Sequence, residues 1–147
     1  MLFLTACQNE NESKPVPLSA EESEVLEAIG DDLEIIDESD FADIVPELIA
    51  HVGQNVGKVI QLEGAYSSND GSPFVYRILK NGNDETICAL PLIFVEKDLP
   101  EDSWIRVSGI VNQDESDKKA VLEVIAVESL QKSGKRTLKW NGPAHQH

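Results

Sequence analysis

Two segments, residues 60–66 (IQLEGAY) and 105–111 (IRVSGIV), alternate apolar and polar residues. Each places a glycine, Gly64 or Gly109, where the next inward side chain belongs. A strand that lacks a side chain on its buried phase can coil sharply, bulge, or let a neighbouring backbone approach. Closing a small barrel requires this, whereas a flat sheet does not.

The rest of the pattern agrees. From Gly57 onward the apolar period is two, with strands expected over 59–66, 74–80, 86–95, 104–112 and 120–127. Turn residues separate them: a loop over 67–72 built on Asp70-Gly71, the hairpin dipeptide Asn81-Gly82, Leu99–Asp102, and a charged tip over 114–119. Pro91 implies an edge, a bulge or a break in the third strand. Upstream, Ser19 and Glu22 form a capping box for a short helix over 20–29 that Gly30 can stop. A short strand is expected over 33–37. Ser39 can cap a second helix whose face is Phe41, Ile44, Val45, Leu48, Ile49 and Val52. Pro46 interrupts that face and suggests a helix beginning near Ile44, with Gly53 and Gly57 bracketing its end. Five strands with coiling glycines describe an OB-like barrel. The fold class is therefore mainly β: a five-stranded OB-like barrel with one or two N-terminal helices. The helix usual between the third and fourth strands has no room, since only 96–102 is available there.

The N-terminus carries an address. Leu4-Thr5-Ala6-Cys7 has the form of a lipobox, in which the cysteine becomes the lipidated first residue of an exported lipoprotein. Residues 1–7 then read as the tail of a longer signal, and polar, proline-bearing 8–18 as a flexible tether. The organisation is completed by the short helix within 19–32, the barrel over 33–140, and a disordered tail over 141–147. With Cys7 lipidated, the second cysteine, Cys88, has no partner, and its apolar neighbours suit a buried thiol. Without a CxxC there is no thioredoxin-like motif and no cysteine zinc site.

The 27 acidic and 12 basic residues give a formal charge of −15, which excludes a nucleic-acid groove. Lys132, Lys135, Arg136 and Lys139 cluster beside Trp140. They can meet anionic lipid or cell-wall polymer, or fold back onto the acidic body. Ligands are expected on the face of the second and third strands, where Phe74, Tyr76, Arg77 and Asp70 are the candidate residues. Phe74 and Tyr76 alternate with Val75 and Arg77, so one of the two pairs belongs to the core. Arg77 would serve either a ligand or a neighbouring acid, Glu63 or Glu85. Asp84, Glu85, Glu96, Asp98, Glu101 and Asp102 lack EF-hand spacing, His51 has no serine motif near it, and His145 and His147 form a loose pair. No catalytic residue, metal or cofactor is expected.

Over 34–140 the chain resembles small exported bacterial OB-fold domains, including the soluble tail of two-part, permease-like membrane proteins of the YcgQ type. The matching phrases are Glu34-Ile35-Ile36-Asp37, Phe41 with Asp43, Val56 to Gly64 (VGKVIQLEG) and Trp104 to Gly109 (WIRVSG). Members often carry a Cys-Cys pair near the third strand, where this chain has Cys88 alone. The resemblance implies the fold and an envelope location. The expectation is a non-enzymatic binding or accessory module, held to the membrane through its lipid anchor. The alternative is an accessory subunit of a transport system with an integral membrane partner, and a metal-dependent enzyme ranks last.

Overall fold

A computed structural model describes residues 15–68 and 71–140. Cys7, most of the tether, Asp70, His145 and His147 lie outside them. The elements are α1 (Ala20–Ile29), a 3-10 turn (Gly30–Asp32), β1 (Leu33–Ile35), α2 (Glu38–Ala50), α3 (Val52–Asn55), β2 (Val59–Ser67), β3 (Phe74–Asn81), β4 (Asp84–Ile93), β5 (Trp104–Gln113), β6 (Ala120–Leu130) and β7 (Thr137–Lys139).

Strands β2 to β6 close into a barrel: β2 pairs with β3 and β5, β5 with β6, β6 with β4, and β4 with β3. All pairings are antiparallel except β4 with β6. This closure fits the OB-like barrel expected from the five alternating segments. Two short parallel strands extend it, β1 on β2 and β7 on β3. The alternation sends Ile60, Leu62, Val75, Leu90, Val107 and Leu122 inward, where each is buried.

Both strand glycines sit where backbones crowd. A Cβ on Gly109 would lie 2.5 Å from the Glu123 carbonyl oxygen, and the β5–β6 register shifts between Ser108 and Gly109. A Cβ on Gly64 would lie 2.9 Å from the Tyr76 carbonyl oxygen, close to where β2 turns from β5 toward β3. Close approach is therefore the reason for glycine at both sites.

The capping box forms as expected. The Glu22 amide donates to Ser19 Oγ at 3.1 Å, and the Ser19 amide donates to Glu22 Oε1 at 2.8 Å. The second helix departs from expectation. It starts at Glu38, with Asp37 rather than Ser39 at the cap, and runs through Pro46 without a break. Proline inside a helix costs about 3 kcal/mol. Burying Phe41, Val45 and Leu48 against the barrel, at roughly 1.5–3 kcal/mol each, outweighs it. Gly53 lies inside α3 rather than beyond the helix.

The β3–β4 turn is also displaced by one residue. Asn81 pairs with Asp84, so Gly82 and Asn83 form the two-residue loop, with positive φ at Gly82 only. A type II′ turn has that pattern. Pro91 belongs to β4, immediately before the two residues that pair with β6. No helix forms between β4 and β5, as the short 96–102 segment implied. At the start of the described chain, Val16 and Ser129 of β6 exchange hydrogen bonds: the Val16 amide donates to Ser129 Oγ at 2.7 Å, and the Ser129 amide to the Val16 carbonyl at 2.9 Å. The segment expected as tether is thus fixed at its last residues.

Candidate functional site

The alternation of β3 divides the four candidate residues. Phe74 and Tyr76 point outward, while Val75 and Arg77 point inward. Asp70 lies outside the described residues.

Arg77 is 2 % exposed, among the most buried side chains of the barrel. Its guanidinium lies between two rings, 4.9 Å from the Phe41 centroid and 4.8 Å from that of Trp104. Arg77 Nε donates to the Glu63 carbonyl at 2.9 Å, and Nη1 donates to Glu38 Oε1 at 2.9 Å and to the Lys135 carbonyl at 3.1 Å. The carboxylate partner is Glu38, from the first turn of α2, rather than Glu63 or Glu85. Glu63 contributes its backbone, in the stretch of β2 between the pairings with β1 and β3. The planar fork joins α2, β2, β3 and the segment before β7, an arrangement that a lysine point charge would not reproduce.

Glu38 Oε1 also accepts from the Lys135 amide at 2.8 Å. That amide and the Arg77 guanidinium hold the Glu38 carboxyl below its ordinary range, against an opposing pull from partial burial. Gly134 makes room for this junction, because a Cβ there would lie 2.3 Å from Glu38 Oε1. The basic tail therefore folds back onto the body. The Ile78 amide donates to the Arg136 carbonyl, the Trp140 amide to the Lys80 carbonyl, and the Arg136 guanidinium lies 5.9 Å from the Tyr76 ring.

The outward side of the β3–β4 hairpin has a different character. Beyond the charged pair Lys80 with Glu85 next to the turn, three registered pairs lie there: Phe74 with Pro91, Tyr76 with Ala89, and Ile78 with Ile87. All six residues are apolar or aromatic. Phe74 and Tyr76 make a tilted ring contact at 5.7 Å, and Ile87 is 63 % exposed.

Two hollows adjoin this face at Pro91. The larger, of about 630 Å³, lies between β4, the end of α2 with α3, and the β5–β6 tip. The smaller, of about 360 Å³, lies between the loop before β3 and the same tip, where Asp114, Asp117 and Lys119 face Gly71 to Pro73. Sequence reasoning missed the larger hollow, since it is made by α2 and β4 coming together.

Cys88 is buried, and burial pushes its thiol up to about 11, away from the thiolate a nucleophile needs. Among the described residues, no three His, Cys, Asp or Glu side chains come together to hold a metal ion. No helix among them is long and apolar enough to cross a membrane. Comparison with known protein families and with curated proteins finds no match.

Proposed function

We propose that this chain is a lipid-anchored, non-enzymatic binding module of the cell envelope, which presents the outer β3–β4 face and its adjoining hollows to a protein or small ligand. One observation carries the reading. In a chain of formal charge −15, the six registered positions of the outer hairpin face beyond the Lys80–Glu85 pair at its turn hold no charged residue. Isolated apolar residues on a surface are ordinary, but a contiguous set marks a contact surface. The location rests on Leu4–Cys7 and the polar segment that follows. The chain between Cys7 and Val16 spans at most roughly 30 Å, so the barrel works close to a bilayer.

A second reading, an accessory subunit beside an integral membrane protein, rests on the likeness to permease-associated tails. The phrases that carry it, 56–64 and 104–109, coincide with the β2–β5 pairing and so speak for the barrel rather than for a partner.

The test places a photo-crosslinker at Tyr76, and at Arg106 as a control, in the full chain in membranes. Crosslinks from position 76 only, lost when Ile87 is changed to Ser, are expected. Labelled fatty acid should enter the wild type and not the Cys7→Ala variant. Equal crosslinking from both positions would overturn the binding face, and label retained without Cys7 would overturn the anchor.

A further inference from the structure

The third strand of the barrel has an unpaired edge. β4 meets β6 at only two positions, Leu92 with Leu122 and Ile93 with Glu123. From Asp84 to Pro91, no strand among the described residues pairs with the side of β4 turned away from β3. The Leu92 amide donates to the Pro73 carbonyl at 2.9 Å, which fixes the phase of the ladder. Leu90 and Cys88 direct their amides toward β3, while Ala89, Ile87 and Glu85 turn theirs to the open edge. Glu85 and Ile87 are exposed and Ala89 is half-buried.

The larger hollow runs along this edge. Ala89 and Pro91 form one wall and Ile49, Ala50 and Val52 the other. Its closed end, toward β6, is formed by Ala120 with Lys118 and Lys119. No aspartate or glutamate lines it, although the chain has 27 acidic residues. Among the described residues, no ion pair holds either ammonium.

We propose that this groove takes the C-terminal end of a partner protein as an added β-strand, parallel to β4, with its terminal carboxylate against Lys118 and Lys119. The direction follows from geometry. β6 runs parallel to β4, and an added strand would occupy the line of β6 just upstream of Ala120. A parallel strand brings its carboxyl end to the two lysines, whereas an antiparallel strand would bring a like charge or an uncharged segment there. Strand addition of this kind draws affinity from the backbone ladder and specificity from the flanking pockets. The α2–α3 wall favours a single strand over a second copy of this chain, whose own β4 is flanked by its own helix. The proposal rests on the binding-module reading and names the partner's chemistry.

The experiment selects displayed heptapeptides with free C-termini on the full chain, then measures synthetic versions of the winners. Winners should be apolar at alternate positions. Amidating their C-terminus should weaken binding by about tenfold, and Lys118→Ala with Lys119→Ala should remove that difference. N-methylation at one set of alternate amides should cost about tenfold or more, and at the other set little. Ala89→Pro should block binding while keeping every β3–β4 bond, because the residue 89 amide faces the open edge. The N-methyl series tests the same point with the protein unaltered. No winners, indifference to amidation, no N-methyl phase, or a dimer with Ile87 and Ala89 amides protected without peptide would each overturn the proposal. Winners lost in Tyr76→Ser but indifferent to N-methylation would overturn it while leaving the binding module standing.

Discussion

Two outer faces of one barrel have opposite solutions to exposure. Where β2, β5 and β6 face outward, the polar side chains find one another. Arg106 Nε and Nη2 donate to Glu63 Oε2 at 3.0 and 2.8 Å, and Nη1 reaches Glu128 Oε2 at 3.5 Å. Trp104 Nε1 donates to Glu63 Oε1 at 3.0 Å, Gln61 Nε2 to Ser108 Oγ at 3.0 Å, and Asn112 Nδ2 to Glu123 Oε2 at 2.7 Å. Where β3 and β4 face outward, the corresponding rows are apolar up to the Lys80–Glu85 pair at the turn, and β4 has an open edge. The first face is satisfied within the molecule. On the second, the Arg136 guanidinium lies over the Tyr76 ring, while Ile87 is exposed and the outer backbone groups of β4 before Leu92 have no strand partner among the described residues. A difference in pairing rather than in exposure therefore separates the proposed contact surface from the paired one.

The largest expected effect tests whether the second face hangs on the interior beneath it. Arg77→Ala removes the cation that joins β2, β3 and α2, and should cost about 3 kcal/mol in urea unfolding. Arg77→Lys should recover under half of that, because the fork and the stacking between Phe41 and Trp104 are lost. Full recovery by lysine would reduce the site to simple charge.

Next is the closure that sets the two faces apart. Gly109→Ala should cost roughly 2–3 kcal/mol, and Gly64→Ala somewhat less, since its nearest atoms lie farther away. Thermal melts of the two variants give the order.

A pH titration sharpens the account of the Arg77 junction. Glu38 has a lowered folded-state pKa, so the unfolded chain binds the proton first and stability rises with pH across that window. Its contribution is present above the ordinary value of 4.5 and is lost as pH falls through the folded one. Glu22 behaves alike: burial pulls its pKa up, but the Lys97 ammonium and the Ser19 and Val127 amides outweigh that. Urea midpoints between pH 6 and 3 should fall in the wild type and fall less steeply in Glu38→Gln. Equal slopes would remove Glu38 from the acid limb.

The smallest effects bear on the faces themselves. Arg106→Ala, on the paired face, should cost about 0.5–1 kcal/mol, the range for a partly exposed ion pair. Ile87→Ser, on the open face, should change stability by under about 0.5 kcal/mol while reducing crosslinking from position 76. A larger stability loss at Ile87 than at Arg106 would undo the contrast between the faces.

The sequence by itself determined the five barrel strands, their limits to within three residues and the need for glycine at 64 and 109, because these follow from local alternation and turn chemistry. The capping box at Ser19 and Glu22 was legible for the same reason: both partners lie within one helical turn. Only the tertiary structure decided which side of β3 is inside, because Phe74 with Tyr76 and Val75 with Arg77 are both plausible inward pairs. An arginine inside a barrel is stable only if rings and acceptors distant in sequence converge on it, and Phe41, Trp104, Glu38 and Lys135 do so. The pairing of Val16 with β6, the return of the basic tail as β7 and the open edge of β4 were hidden as well. Each depends on which segment arrives beside a strand, and no period within a single strand records its neighbour.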